Sequence, residues 1–237
     1  MTTRNRGKEG SDDKLFGTSK MQQLIKEALQ DMSYLLSRDY ADKSAVQLVG
    51  NRYRLNVRQQ KAIRGMSASV TQVEQRKLSE LSVNQLVGRE IMIDGFNLLI
   101  VLESALSGAY LFKGMDNCYR DLSGVHGSYK RVQQTEKALL LIGDFLKECA
   151  VGKVTWVFDK PVSNSGRLKT RVRELAEAHG FNWEVILDNN PDKLLAESNK
   201  IAISSDAWIL DRAKRWFNLA GDLIENKIEI TTIIESY

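Results

Sequence analysis

From Ser19 onward, apolar residues recur at three- and four-residue steps: Met21, Leu24, Ile25, Leu29, Met32, Leu35 and Leu36. They form one stripe of an amphipathic helix. A second helix is predicted from a cap at Asp42 or Ser44 through Ala45, Val46, Leu48 and Val49, with Gly50-Asn51 as its C-terminal turn. Asn56 caps a third, Val57 to Arg64, which Gly65 stops. Ser67 or Ser69 opens a fourth, carrying Val73 and Leu78 and ending near Leu81. Residues 1–17 are polar and contain glycine, so a flexible tail is expected there, followed by a small all-helical domain over 18–85.

At Glu90 the pattern changes to short apolar runs alternating with helical periods. IMID, VTWVFD, WEVIL, KIAISSD and IEITTII read as five strands. Leu98–Ser107, Glu136–Ala150, Ser165–His179, Asp192–Asn199 and Ala207–Ala220 read as the helices between and beside them. Strands alternating with helices imply a parallel sheet. The expectation is a three-layer α/β/α domain over residues 86–237.

Composition narrows the class. A chain of 237 residues, 43% hydrophobic and 27% charged, suffices for a sizeable core. Cys118 and Cys149 are too few for a disulfide framework, and neither they nor the isolated His126 and His179 have zinc-ligand spacing. The N-terminus lacks an apolar signal region, and the longest apolar run, around Leu98–Leu102, falls far short of the ~20 residues of a membrane span. No membrane association and a cytoplasmic location are expected. Residues 1–93 hold 16 Lys/Arg against 10 Asp/Glu, whereas residues 94–237 hold 18 against 20. A basic part beside a mildly acidic one suits a polyanion partner, although surface charge also drifts by this much without function.

Three basic groupings could meet such a partner. Arg52, Arg54, Arg58, Lys61 and Arg64 fall within thirteen positions, with Arg58 and Lys61 on one helix face. The long polar segment 111–131 holds Asp116, Arg120, Asp121, His126, Tyr129, Lys130 and Arg131. Arg167 and Arg171 lie four apart on the helix after the second strand, whose start carries Ser163, Ser165 and Gly166, a place that favours anions. Each grouping also reads as an ordinary solvated surface. Trp156, Trp183, Trp208 and Trp216 read as packing residues.

Asp94, Asp159, Asp188 and Asp206 each end a predicted strand. In a parallel sheet those ends share one edge, where ligand sites form. Carboxylates crowded there repel one another, and a hard divalent cation relieves the conflict. Asp after a strand is also common turn or helix-cap chemistry.

Over about 115 residues, Asp94 to Trp208, the ordered segments IDGFN, VFDKP, NPDKLLAES and IAISSDAWIL resemble motifs of PIN-like nucleases, particularly the NYN branch. The whole chain is similar to a prokaryotic family of unknown function with a helical N-terminal domain before a PIN-like domain. Carried over, the resemblance implies that Asp94, Asp192 and Asp206 bind Mg or Mn. Asn97 would hold Asp94 or the attacking water, and Asp159 would serve as a further ligand or supporting acid. Asp211 would lie one helical turn beyond Asp206, and Asp188 would be a turn residue. The segment from Leu111 to Tyr129 departs from a minimal PIN domain. The implied activity is metal-dependent endoribonuclease, with RNA ahead of DNA. Substrate would be gripped by Arg52, Arg54, Arg58, Lys61, Arg120, Lys130, Arg167 and Arg171. A non-catalytic nucleic-acid-binding protein and a metal-dependent phosphatase are the alternatives.

Overall fold

The computed structural model describes residues 6–123, 128–229 and 232–236. Its first part is helical: α1 (Asp12–Phe16), α2 (Ser19–Leu36), α3 (Asp42–Arg52), α4 (Val57–Met66) and α5 (Val70–Ser79). Local caps set several starts. Thr18 accepts from the Met21 N–H, while Asn56–Gln59 and Ser69–Gln72 form reciprocal capping boxes. The turn expected at Gly50-Asn51 is absent, because α3 continues to Arg52 and Gly50 faces the Gln60 side chain of α4.

The second part contains β1 (Ile91–Asp94), α6 (Gly95–Leu106), β2 (Leu111–Lys113), β3 (Tyr119–Arg120), α7 (Thr135–Glu148), β4 (Val154–Asp159), α8 (Ser165–His179) and β5 (Trp183–Asp188). After these come α9 (Pro191–Glu197), β6 (Ile201–Ile203), α10 (Ala207–Leu210), α11 (Leu219–Lys227) and β7 (Ile233–Glu235). The central sheet has order β5-β4-β1-β6, all parallel, with Asp94 opposite Val157 and Asp159 opposite Asp188. All four residues of β1 are buried, as a central strand covered on both faces requires.

Three expectations change. The fifth strand is not in this sheet. β7 pairs in parallel with β2, which forms an antiparallel hairpin with β3. The long polar segment from Leu111 thus supplies two strands of a second, three-stranded sheet; within it, His126 lies outside the described residues. Nor is Ala207–Ala220 one helix. After α10 the chain passes through turns and bends, and Trp216 bridges both Ala202 of β6 and Glu80. Finally, residues 6–17 are packed. Phe16 is fully buried against Phe112, and Arg58 binds Asp12 and Glu9.

The helical part and the small sheet share one hydrophobic cluster, in which Phe16, Ile25, Leu29, Met32 and Ile63 meet Tyr110, Phe112, Leu122 and Ile234. A larger cluster fills the space between the parallel sheet and α6, α7, α8 and α11. No helix among the described residues is long and apolar enough to cross a membrane.

Candidate functional site

The carboxyl edge of the central sheet is built around Asp94. Burial of β1 leaves this carboxylate only 8% exposed. The following Gly95 is forced by the close approach of α6 to β4: a Cβ there would run into the Phe158 ring. On the neighbouring strand, β6 is followed directly by Ser204-Ser205-Asp206. The Ser204 hydroxyl donates to Asp94 Oδ2 at 2.8 Å and accepts from the Asp206 N–H at 3.0 Å. One hydroxyl thus ties the acid-bearing ends of two adjacent strands.

Electrostatics follow from this placement. Burial first, and then the charges of Asp192 and Asp206, push the Asp94 carboxyl up to about 7; the Ser204 hydroxyl and the Asn97 backbone N–H pull the other way. Asp192, in the first turn of α9, is raised by partial burial and by Asp206 and Asp159. Asp159 is raised by partial burial and by Asp188. The acids expected at the site therefore lie along one edge, where Asp192 and Asp206 disfavour the charge of Asp94 and Asp159 disfavours that of Asp192. They are not drawn tightly together: among the described residues, no three His, Cys, Asp or Glu side chains are gathered closely enough to hold a metal ion.

Several side chains have other occupations. The Asn97 side-chain oxygen accepts from the Ser205 N–H at 2.8 Å and the Ser205 hydroxyl at 2.9 Å, so Asn97 fixes the β6 turn rather than holding Asp94 through its side chain. Asp206 caps α10, with the Trp208 and Ile209 N–H groups both donating to Oδ1. Asp188 accepts from the Asn190 N–H, the expected turn role. Asp211 is not a site acid, since Arg76 and Gln72 occupy its two oxygens.

The basic residues divide likewise. Arg58 is spent on Asp12, Glu9 and the Gly7 carbonyl, and the Lys61 ammonium donates to the Leu122 carbonyl. The reason is that the N-terminal segment and the 111–123 segment pack on α4. Arg171 pairs with Glu136 and Glu174. Arg52, near Asp31, and Arg54 remain exposed, the latter at a left-handed backbone position with φ 52°. Lys130 and Arg167 meet around a cavity beside the start of α8.

Arg120 has the most constrained position. It donates to the Ser205 carbonyl and grips Asp116 with two nitrogens, at 2.8 and 2.7 Å. Arg76 of α5 grips the same Asp116 at 2.6 Å and Asp211 at 2.6 Å. Asp116 is thereby held down at about 2: burial alone would raise it, but Arg120 and Arg76 outweigh that effect. This chain of charges runs from the helical part to the turn before Asp206. Arg76 gave no sign of it in the sequence, where it reads as one more cation on an exposed helix face.

Comparisons with known proteins add kinship without chemistry. A family model described as Domain of unknown function (DUF5616) matches residues 83–222, and one described as Protein of unknown function (DUF434) matches residues 24–78. An uncharacterized protein of Methanocaldococcus jannaschii is 31% identical over 205 residues, covering 86% of this chain and 97% of its own length. No solved structure matches.

Proposed function

Because the chain belongs to the family described as Domain of unknown function (DUF5616), whose name states no activity, we propose a function from the site itself: a metal-dependent, PIN-like endoribonuclease acting at the carboxyl edge of the parallel sheet. The observation that carries this reading is the Ser204 bridge, which brings Asp94 and Asp206 to one edge from adjacent strands. Asp192 adds its charge to the same edge. Carboxylate oxygens are the donors that Mg or Mn takes, so Asp94, Asp192 and Asp206 suit a hard cation by type, and would have to draw closer together to hold one. Such an ion, when bound, supplies an activated water and neutralises charge on the phosphate.

The chain's own residues have separate duties. Asp94 sits where burial excludes competing solvent and raises its proton affinity. Ser204 fixes the orientation of its Oδ2, and Asn97 with Arg120 holds the turn that presents Asp206. Asp159 adds negative charge at the rim. Exposed Arg52 and Arg54 on the helical part, with Lys130 and Arg167 near the edge, would neutralise RNA phosphates. A second reading, a nucleic-acid-binding protein without turnover, is favoured by the capping role of Asp206 and by the spacing of the acids.

Cleavage of a mixed-sequence RNA with Mn²⁺, alongside melting with and without Mn²⁺, separates the two. Asp94→Asn and Asp206→Asn should each abolish Mn²⁺-dependent cleavage and the Mn²⁺-induced rise in Tm. Asn retains helix-capping ability, so a purely structural Asp206 would leave both signals intact. Activity persisting in both variants would remove the catalytic reading.

A further inference from the structure

Beside the start of α8 lies a cavity of about 430 Å³ lined by Tyr129, Lys130, Arg131, Asn164, Arg167 and Leu168. Its cations come from two distant segments, and the structure joins those segments deliberately. Ser128 bridges Ser163, the Tyr129 N–H donates to the Ser163 carbonyl, and the Asn164 side chain donates to the Tyr129 carbonyl at 3.0 Å. Tyr129 is fixed below by Glu103 and Thr135, and Arg6 holds the Lys130 carbonyl. Backbone and cavity floor are therefore rigidly placed.

The charged tips are differently disposed. Lys130, Arg131 and Arg167 are exposed. Arg131 has only a loose pairing with Glu136, at 3.8 Å. Arg171, one turn further along α8, is the cation that Glu136 and Glu174 neutralise. Positive charge is thus left at the cavity and cancelled beyond it. Asn164 stands at φ 71° and makes no side-chain cap for α8, while its side-chain N–H donates to the Tyr129 carbonyl. Space around Gly166 is open. The positive end of a 15-residue helix therefore adds to the three cations.

We infer that this cavity is a binding site for a phosphate-bearing group about the size of one nucleotide. The volume falls in the range of small-molecule sites, and Arg and Lys heads with a helix start form a recurrent phosphate cradle. The source of that phosphate, an RNA strand, rests on the ribonuclease reading. The positions agree with it: Asn164 follows Asp159 by five residues, at most ~18 Å of chain, and Tyr129 packs on Phe96, two residues after Asp94. A phosphate seated here would anchor a strand beside the acidic edge.

The test is calorimetric titration of the full chain in chelator, so that no turnover can occur. Ligands are inorganic phosphate, a nucleoside monophosphate, the matching nucleoside, and short RNAs with 5′-phosphate or 5′-hydroxyl ends. The monophosphate should bind more tightly than the nucleoside. Arg167→Gln and Lys130→Gln should each weaken it about tenfold, and Lys43→Gln, at an exposed position on α3, should leave it unchanged. A preference for the 5′-phosphorylated RNA assigns the site to strand ends; equal binding of both RNAs, lost in the same two variants, assigns it to internal phosphates. Equal binding of nucleoside and monophosphate, or affinity untouched by both cavity variants, overturns the inference. Absence of cleavage under any metal would defeat the nuclease reading and leave this binding result standing.

Discussion

An ionised Asp94 is disfavoured by burial and by two neighbouring acids, so its proton equilibrium is tied to folding. Its folded value, about 7, stands above the ordinary 3.8. Between those values the folded chain holds the proton and the unfolded chain has lost it. Stability therefore falls as pH rises from about 4 to about 7, and stays at the lower level above. The melting temperature of the metal-free protein should drop between about pH 4 and about pH 7. Asp94→Asn, which removes the charge and keeps the shape, should flatten most of that drop and melt higher than the parent at pH 8. A pH profile identical to the parent's would show that Asp94 is not in conflict with its surroundings.

At the scale of elements, the junction of β1 and α6 decides the site's position. Gly95→Ala would push a methyl group into the Phe158 ring of β4, and overpacking of this kind costs about 1–3 kcal/mol. Denaturant unfolding should show a loss in that range, and the cleavage proposed above should fall further because Asp94 shifts with the helix. Four strands of the central sheet were legible in the sequence because each is a short apolar run that stops at or near an Asp, and the carboxyl edge followed from them. Partnership was not legible. IEITTII has the same apolar character as a central strand, and nothing in it specifies β2 rather than β6 as the neighbour. Trp208, Ile209, Ala213, Trp216 and Phe217 keep helical spacing beyond the real end of α10. Trp216 is instead held by backbone pairing to Ala202 and by its indole N–H donating to the Arg76 carbonyl. Long-range pairings of this kind override a local period. The acids were found through their types and order, while the ties that orient them, Ser204 to Asp94 and Arg120 to Ser205, depend on contacts 85 to 110 residues apart.

Across the whole molecule, Asp116 is the residue on which the two parts meet. It lies buried between Arg76 of the helical part and Arg120 beside the acidic edge. Removing it leaves two guanidinium groups deprived of their shared carboxylate, a loss of about 3–5 kcal/mol. Asp116→Ala should accordingly melt well below the parent. With one hydrophobic cluster spanning helices and small sheet, the parent should unfold in a single transition reported equally by helix content and by Trp fluorescence. Two resolved transitions would show that the parts are independent.

The parallel pairing of β7 with β2 has a consequence for how the chain is made. Phe112 receives Phe16 on one side and lies opposite Ile234 across the strand pair. During synthesis, β2 leaves the ribosome some 120 residues before Ile234. Throughout that interval the hairpin of β2 and β3 offers an unpaired strand edge, next to an apolar cluster still missing a buried member. Open edges of this sort recruit wrong partners. The nascent protein is thus most vulnerable to association after its parallel sheet has emerged and before Ile234 has, and a holdase that shields strand edges should raise its soluble yield more than one that merely slows folding.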